Sequence, residues 1–170
     1  MKIKGIYTPA ITPLRQDGGI DWDGFAAILE HLVAAGVDGI VVGGTTGEYY
    51  AHSTEERLES LRRAMDIVGT RAVMVGGTGA IRTEDSIELA TEVAAMGYDA
   101  LLVTTPPYAQ PTPRENALHA LAVDRAANLP IILYNYPGRM AAEMSEEYLD
   151  RVGRSPNFCA IKESSGDINR

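Results

Sequence analysis

Six short runs of apolar residues, separated by longer segments with helical patterns, constrain the fold of this chain more than any other feature. The runs are continuously apolar rather than alternating, as in strands whose two faces are both covered. Between them, apolar residues recur about every three or four positions, which predicts helices. The predicted strands span residues 5–11, 39–42, 72–75, 100–103, 131–134 and 158–162.

Polar residues in front of the helical segments predict where the helices begin, because their side chains can accept from free backbone N–H groups. Two of them are followed three residues later by glutamate, which makes a capping box. With the first helical stripe, around Phe25 and Leu29, these starts give five helices. The expected N-caps are Ser53 and Thr112, which begin the capping boxes, and Thr83 and Ser145.

A short internal repeat indicates a regular array of βα units. Gly36-Val37-Asp38 and Gly97-Tyr98-Asp99 each stand between a helix and a strand, about two units of roughly 30 residues apart. A (β/α)8 TIM barrel needs about 250 residues, whereas this chain has 170 residues. We therefore expect an α/β fold with about the first six strands of a TIM barrel: a single domain over residues 1–170, incomplete at the C-terminus. An open six-stranded sheet is the alternative.

Composition and charge exclude several classes of partner. The net charge is −8 and no basic stripe is present, so we expect no nucleic acid. No apolar run is long enough to cross a membrane, and no signal peptide precedes residue 5, so we expect a cytoplasmic protein.

The single Cys159 excludes an internal disulfide and reads as a small core residue. The histidines, His31, His52 and His119, have no metal-ligand spacing, so we expect no metal.

Lys162 is the most informative single residue, because it lies inside the last apolar run. A lysine near a strand end is most often a snorkelling surface residue. Burial, however, lowers the pKa of a lysine, and a neutral amine can form a Schiff base with a ketone. The neighbouring strand ends decide between these interpretations.

Functional residues of a parallel barrel lie at the carboxyl ends of its strands. In this chain those ends bring hydroxyls, phenols, an arginine and Lys162 to one face. The glycine-rich turns at two of them lack the lysine of a P-loop and the spacing of a dinucleotide fingerprint. The segments that follow strands two to five span residues 43–48, 76–79, 104–108 and 134–139.

Three motifs in this set resemble the signatures of the dihydrodipicolinate synthase/N-acetylneuraminate lyase family. They are Gly-Thr-Thr-Gly-Glu at 44–48, Tyr-Asn-Tyr-Pro-Gly-Arg at 134–139 and Ile-Lys-Glu-Ser-Ser-Gly-Asp at 161–167. Their order and spacing also match. The resemblance implies a (β/α)8 barrel, pyruvate-dependent class I lyase, aldolase or dehydratase chemistry, and a homo-oligomer built as a dimer of dimers.

The resemblance also implies a role for each matching residue. Lys162 corresponds to the lysine that condenses with pyruvate, and Tyr134 to the tyrosine that relays protons to and from the intermediate. Thr46 corresponds to the hydroxyl between two tyrosines. Tyr108 corresponds to the second tyrosine, which reaches across the tight-dimer interface.

The remaining implied roles concern substrate binding. Thr45, Thr46 and nearby backbone amides, including that of Gly44, would hold the pyruvate carboxylate. Arg139 would bind the carboxylate of the aldehyde, since a guanidinium presents a planar fork to such a group. The two substrates are thus pyruvate and an aldehyde, and the chemistry requires no cofactor.

Four positions depart from the family pattern. Ile81 stands where lysine-inhibited synthases have an asparagine, and Pro107 where they have a tyrosine, so we expect no strong inhibition by lysine. Met140 and Ala141 replace a threonine-glycine pair, which leaves the aldehyde open. Arg139 favours an aldehyde that carries a carboxylate.

The sequence therefore predicts a pyruvate-dependent Schiff-base lyase or aldolase, 4-hydroxy-tetrahydrodipicolinate synthase-like, that acts on an aldehyde such as aspartate semialdehyde. One alternative is a 2-keto-3-deoxy sugar acid aldolase or N-acetylneuraminate lyase-like enzyme. Another, of a different class, is a non-catalytic barrel fragment that serves as a binding or assembly module.

Overall fold

The computed structural model describes residues 3–169 and has the alternating organisation that the sequence predicts. The strands are β1 (Tyr7–Pro9), β2 (Gly39–Val42), β3 (Val73–Gly77), β4 (Ala100–Thr104), β5 (Ile131–Asn135) and β6 (Phe158–Glu163). The helices are α1 (Trp22–Ala34), α2 (Thr54–Val68), α3 (Thr83–Ala95), α4 (Pro113–Ala127), α5 (Pro137–Met140) and α6 (Glu146–Val152). Short 3-10 turns lie at Thr45–Gly47, Tyr49–Ala51 and Gly69–Arg71.

The six strands form one sheet, all parallel and in the order of the sequence. Helical segments connect each strand to the next, as in consecutive βα units. This half-barrel confirms the predicted fold class, a TIM barrel of which six strands are present. The assignment of residues 1–170 to a single domain stays a prediction.

Two apolar layers hold the sheet. The outer layer lies between strands and helices, where Phe25 and Leu29 of α1 and Leu61 of α2 are at most 1% exposed. The inner layer covers the concave face and includes Val75, Leu102, Ile132 and Tyr134. Because side chains alternate between faces along a strand, a continuously apolar strand supplies both layers at once. Within the described residues, no helix is long and apolar enough to span a bilayer.

The internal repeat is a backbone clamp used twice. The carboxylate of Asp38 accepts from the N–H of Ile6 at 2.8 Å, and the Asp38 N–H donates to the Ile6 carbonyl. Asp99 does the same with Met74, again at 2.8 Å for the carboxylate. Each aspartate thus fixes the start of one strand against its neighbour.

Three of the four predicted N-caps are confirmed. Ser53 and Thr112 form complete capping boxes, and the Ser145 hydroxyl accepts from the N–H of Tyr148. The prediction for Thr83 was wrong: the cap position is Arg82, whose side chain makes no capping bond. The Thr83 hydroxyl instead lies 3.0 Å from Nδ1 of the buried His119, so a tertiary contact takes the group that local capping would have used.

Strand and helix boundaries differ modestly from the predictions. β1 is shorter than the predicted residues 5–11, while β3 begins one residue later than predicted and extends two residues further. The one-turn helix α5, with Pro137 at its first position, was not predicted. It follows β5 directly and carries Arg139, so it positions a predicted site residue.

Candidate active site at the carboxyl ends of the strands

The carboxyl ends of β2 and β3 approach each other so closely that only glycine fits. Gly43 has a φ of 73°, and a Cβ built on Gly77 would lie 2.2 Å from the Gly43 carbonyl oxygen. A side chain at Gly77 would push the two strand ends apart, and a side chain at Gly43 would be strained by the positive φ. The glycine-rich turns therefore serve close backbone packing, and this packing places the threonines of residues 45 and 46 at the rim of the sheet.

Lys162 and Tyr134 are partners in the sheet, opposite each other in the β5–β6 register. The Lys162 Nζ lies 4.2 Å from the centroid of the Tyr134 ring, which is almost fully buried. Partial burial lowers the pKa of the Lys162 amine, because desolvation disfavours its charged form. A lowered pKa leaves more of the amine neutral, which is the form that attacks a carbonyl to make a Schiff base.

A β-bulge in β6 aims Lys162 at the concave face. Ile131 pairs with Phe158, but Ile132 pairs with Ala160, so Cys159 is an extra residue. Phe158 packs into the outer layer and Ala160 into the inner layer, although residues two apart normally share a face. Lys162, two residues beyond Ala160, consequently points inward. Bulges commonly redirect a side chain in this way beside active sites.

Cys159 is therefore not the simple core residue that the sequence indicated. It is half-buried, and its Sγ donates to the Ile131 carbonyl oxygen at 3.4 Å. This contact occupies the carbonyl at the point where the ladder of hydrogen bonds is interrupted.

The hydroxyl that contacts Tyr134 belongs to Thr45, whereas Thr46 was expected there. Thr45 Oγ1 and Tyr134 Oη are 3.3 Å apart, and either can be the donor. Thr46, next along the 3-10 turn, is exposed. Successive residues of such a turn point about 120° apart, so only one of two adjacent threonines can face the tyrosine. Gly44, just before the turn, is buried and its carbonyl accepts from Gly47 at 3.0 Å.

Tyr108 does not join this group within the chain. Its side chain is 88% exposed, and its backbone has a φ of 70°. A left-handed conformation costs a non-glycine residue about 1–3 kcal/mol, and such conformations persist where the surroundings impose them. Among residues 3–169, the hydrogen-bonded path from Tyr134 ends at Thr45 in a single copy.

Arg139 lies at the same rim, on α5. Its guanidinium carbon is 5.5 Å from the centroid of the Tyr136 ring, and hydrogen bonding to the Tyr136 and Tyr50 hydroxyls raises the pKa of Arg139. Arg139 lines an open cavity of about 380 Å³ together with Thr45 and Pro107. A permanent positive charge thus faces the space beside the Thr45–Tyr134 pair.

Sequence reasoning missed a buried cation behind this cavity. The Arg57 guanidinium is 4.9 Å from the centroid of the Tyr49 ring and donates to the Gly77 carbonyl at 3.4 Å. Tyr49 is almost fully buried, and desolvation raises the pKa of its phenol, so it is a wall residue with a neutral hydroxyl. No motif signals Arg57, because it lies within an ordinary amphipathic helix.

Two of the positions that depart from the family pattern, Ile81 and Pro107, are near the rim. Ile81 is 62% exposed just before α3, and Pro107 lines the Arg139 cavity. Neither side chain can donate or accept a hydrogen bond. Among the described residues, no cluster of three histidine, cysteine or acidic side chains could hold a metal ion.

Comparison with known proteins identifies the family. The model of the dihydrodipicolinate synthetase family matches residues 2–170. The chain belongs to this family. A 4-hydroxy-tetrahydrodipicolinate synthase of Stutzerimonas stutzeri is 37% identical over 168 residues, and a second synthase of Streptomyces coelicolor is 39% identical over 165 residues. These alignments cover 99% and 97% of the chain but only 58% and 55% of the relatives.

Solved structures share the architecture of this chain. A chloride-inhibited dihydrodipicolinate synthase from Acinetobacter baumannii, complexed with pyruvate, superimposes with a TM-score of 0.95 at 36% identity. It covers 99% of this chain, which spans 58% of that protein. The structure of CdNal from Clostridium difficile, in complex with mannosamine, gives a TM-score of 0.95 at 25% identity over 99% of this chain and 59% of that one.

Proposed function

We propose that this protein is a pyruvate-dependent Schiff-base lyase or aldolase, 4-hydroxy-tetrahydrodipicolinate synthase-like. The observation that carries the proposal is the Lys162–Tyr134–Thr45 arrangement, in which a partly desolvated amine lies over a phenol that is hydrogen-bonded to a second hydroxyl. Family membership supports the same chemistry, although the chain spans only about 58% of a curated relative. The whole protein's substrates therefore belong to the proposal.

The proposed reaction begins when the neutral Lys162 amine attacks the pyruvate carbonyl carbon. A C–N bond forms, the carbonyl oxygen takes a proton, and loss of water leaves the protonated Schiff base. Loss of a methyl proton from this adduct gives an enamine, whose carbon attacks the aldehyde carbon. The new C–C bond forms as the aldehyde C=O π bond breaks, the aldehyde oxygen takes a proton, and the Schiff base is restored. Water then attacks the Schiff base and releases the product and Lys162.

Proton transfer in these steps is the role proposed for Tyr134 and Thr45. A phenol has an ordinary pKa of about 10 and is a weak base by itself. A chain of hydrogen-bonded hydroxyls shares the proton and lowers the barrier to its movement. Thr45 takes the relay position because its hydroxyl is 3.3 Å from that of Tyr134, and Thr46 retains a proposed part in holding the pyruvate carboxylate.

The proposed second substrate is an aldehyde that bears a carboxylate, such as aspartate semialdehyde. Arg139 supports this choice, because its charge faces the open cavity and guanidinium groups bind carboxylates through two hydrogen bonds. A product assay with pyruvate and either aspartate semialdehyde or sugar aldehydes tests it. Turnover of the semialdehyde is expected; turnover of sugars alone would favour the N-acetylneuraminate lyase-like alternative, and turnover of neither the non-catalytic module.

A homo-oligomer is proposed because Tyr108 is left outside the relay. Its phenol is 88% exposed, beside Pro107 on the rim of the cavity, where a second copy can supply or receive it. Mixing two inactive variants, Lys162→Met and Tyr108→Phe, tests the exchange. Recovered activity is expected if Tyr108 acts across an interface, whereas additive inactivity contradicts it. A cytoplasmic location, expected from the sequence, stays a prediction.

A further inference from the structure

A second pair of residues lies directly behind Lys162 and Tyr134. Asn135 follows Tyr134 on β5, Glu163 follows Lys162 on β6, and these two are also register partners. The Asn135 Nδ2 donates to both carboxylate oxygens of Glu163, at 2.8 and 3.1 Å. Because side chains alternate between faces, this pair ties the strands together on the outer face while Lys162 and Tyr134 meet on the inner face.

Asn135 is itself held rigidly. Its side chain is 1% exposed, and its Oδ1 accepts from the backbone N–H of Met144 at 3.0 Å. Its backbone carbonyl accepts from the N–H of Ser164 at 2.9 Å, just past the end of β6. One asparagine thus connects β5, the segment before α6 and the end of β6.

Glu163 forms further hydrogen bonds on the β6 side of the pair. Its Oε1 accepts from the N–H of Ser165 at 2.6 Å, which folds the chain back after β6. The Asn135 amide is the main cause that lowers the pKa of the Glu163 carboxyl, so the group is ionised near neutral pH. Its hydrogen bonds are therefore of the stronger, charge-assisted kind.

We propose that Asn135 and Glu163 act as positioning residues that hold the carboxyl ends of β5 and β6 in register and thereby keep Lys162 Nζ against the Tyr134 ring. The inference rests on the proposed Schiff-base function. Neither residue touches the reacting atoms. A lysine has a long, flexible side chain. The distance between amine and phenol consequently depends on how firmly the strand end is fixed.

The hydrogen-bonded pair of Asn135 and Glu163, called the brace below, can be removed from either side. Glu163→Ala removes the acceptor from an exposed position and is expected to fold. Asn135→Ala removes the donor but also removes the Oδ1 that accepts from the Met144 N–H. Glu163→Gln is the conservative variant, because its amide oxygen still accepts one bond from Asn135. If Asn135→Ala does not fold, Glu163→Ala and Glu163→Gln decide.

Asn157→Ala is the matched control. Asn157 precedes β6 and its Nδ2 donates to Asp124 at 2.7 Å and to Asn128 at 3.2 Å, so it fixes the opposite end of the same strand. The substitution removes the same kind of hydrogen bonds from β6 without touching the Lys162 end. A general loss of stability would affect this variant as much as the brace variants.

The first readout is the pH dependence of Lys162 acetylation by a trace of acetic anhydride, located by peptide mass spectrometry. The Lys162 pKa is lowered by desolvation in the parent protein. If the end of β6 is no longer held in place, the Lys162 amine becomes more exposed to water. The Lys162 pKa is therefore expected to rise in Glu163→Ala and to stay near the parent value in Glu163→Gln and Asn157→Ala. Removal of a nearby negative charge would act in the opposite direction and lower the pKa, so a lowered or unchanged value in Glu163→Ala overturns the proposal.

The second readout is the initial rate at which borohydride traps pyruvate on Lys162. Glu163→Ala is expected to slow trapping by about 10- to 100-fold, the scale of a displacement of about 1 Å, while Asn157→Ala stays within about twofold. Equal rates in the two alanine variants overturn the brace. If the parent protein traps no pyruvate, the proposed function fails, and the acetylation profile still decides the brace.

Discussion

The hydrogen bond between Tyr134 and Thr45 makes a strong prediction about catalysis and a weak one about stability. Tyr134→Phe removes one hydroxyl and leaves the ring that lies 4.2 Å from Lys162 Nζ. A bond of 3.3 Å between neutral groups is long, so the free energy of unfolding should fall by only about 0.5–1 kcal/mol. Loss of the proton relay should slow Schiff-base formation by about 100-fold or more.

A double-mutant cycle measures the same contact directly. Unfolding in urea would be followed for Tyr134→Phe, Thr45→Val and the double variant, with borohydride trapping of pyruvate followed in parallel. The two substitutions should couple by about 0.5–1 kcal/mol, because each removes the other's partner. Thr46→Val is the matched control, since it alters the adjacent, exposed threonine: it should show no coupling with Tyr134→Phe and should raise the pyruvate concentration required rather than slow trapping at saturation.

Two results would refute this reasoning. If Thr46→Val, and not Thr45→Val, couples with Tyr134→Phe, the relay runs through Thr46 as the sequence first indicated. If Tyr134→Phe traps pyruvate at the parental rate, the phenol has no part in the proton transfers and the contact is structural.

Three further predictions concern other parts of the chain. Burial lowers the pKa of His119 to about 4. Between about pH 6.5 and 4 the unfolded state therefore binds a proton that the folded state does not. The free energy of unfolding should fall by about 3 kcal/mol over this range as the pH is lowered. His119→Gln should remove most of this slope in urea unfolding, and an unchanged slope would exclude His119 as its source. Ala141 has a φ of 53°, so Ala141→Gly should stabilise the fold by about 0.5–1 kcal/mol, measured as a higher Tm; a lower Tm would contradict this. Lysine should not strongly inhibit the active protein, because Ile81 and Pro107 offer no hydrogen bonds, and saturable inhibition at micromolar to millimolar lysine would contradict that.

The sequence predicts the array of strands and helices well, because each strand is apolar on both faces and most helix starts have a capping residue. The failed N-cap prediction shows a tertiary contact that competed with a local signal. Thr83 has the right type and place for an N-cap, yet its hydroxyl lies against His119. Local rules contain no information about a partner on another helix.

In the candidate site, too, some features follow from the sequence and others only from the folded chain. The motifs bring Lys162, Tyr134 and Arg139 to one rim, because parallel strands share their carboxyl ends. They do not reveal which of two adjacent threonines faces Tyr134, since the phase of a 3-10 turn decides this. They also do not reveal the bulge at Cys159, because an extra residue is visible only when β6 is paired with β5.

The measurement that tests the account most directly is the location of a pyruvate adduct. The protein would be incubated with pyruvate, reduced with sodium borohydride, and examined by intact mass and peptide mapping. We expect one stable adduct per chain, on Lys162, and none in Lys162→Met. An adduct on a different lysine, or none on Lys162 in a folded protein, would contradict the claim that Lys162 is the Schiff-base residue.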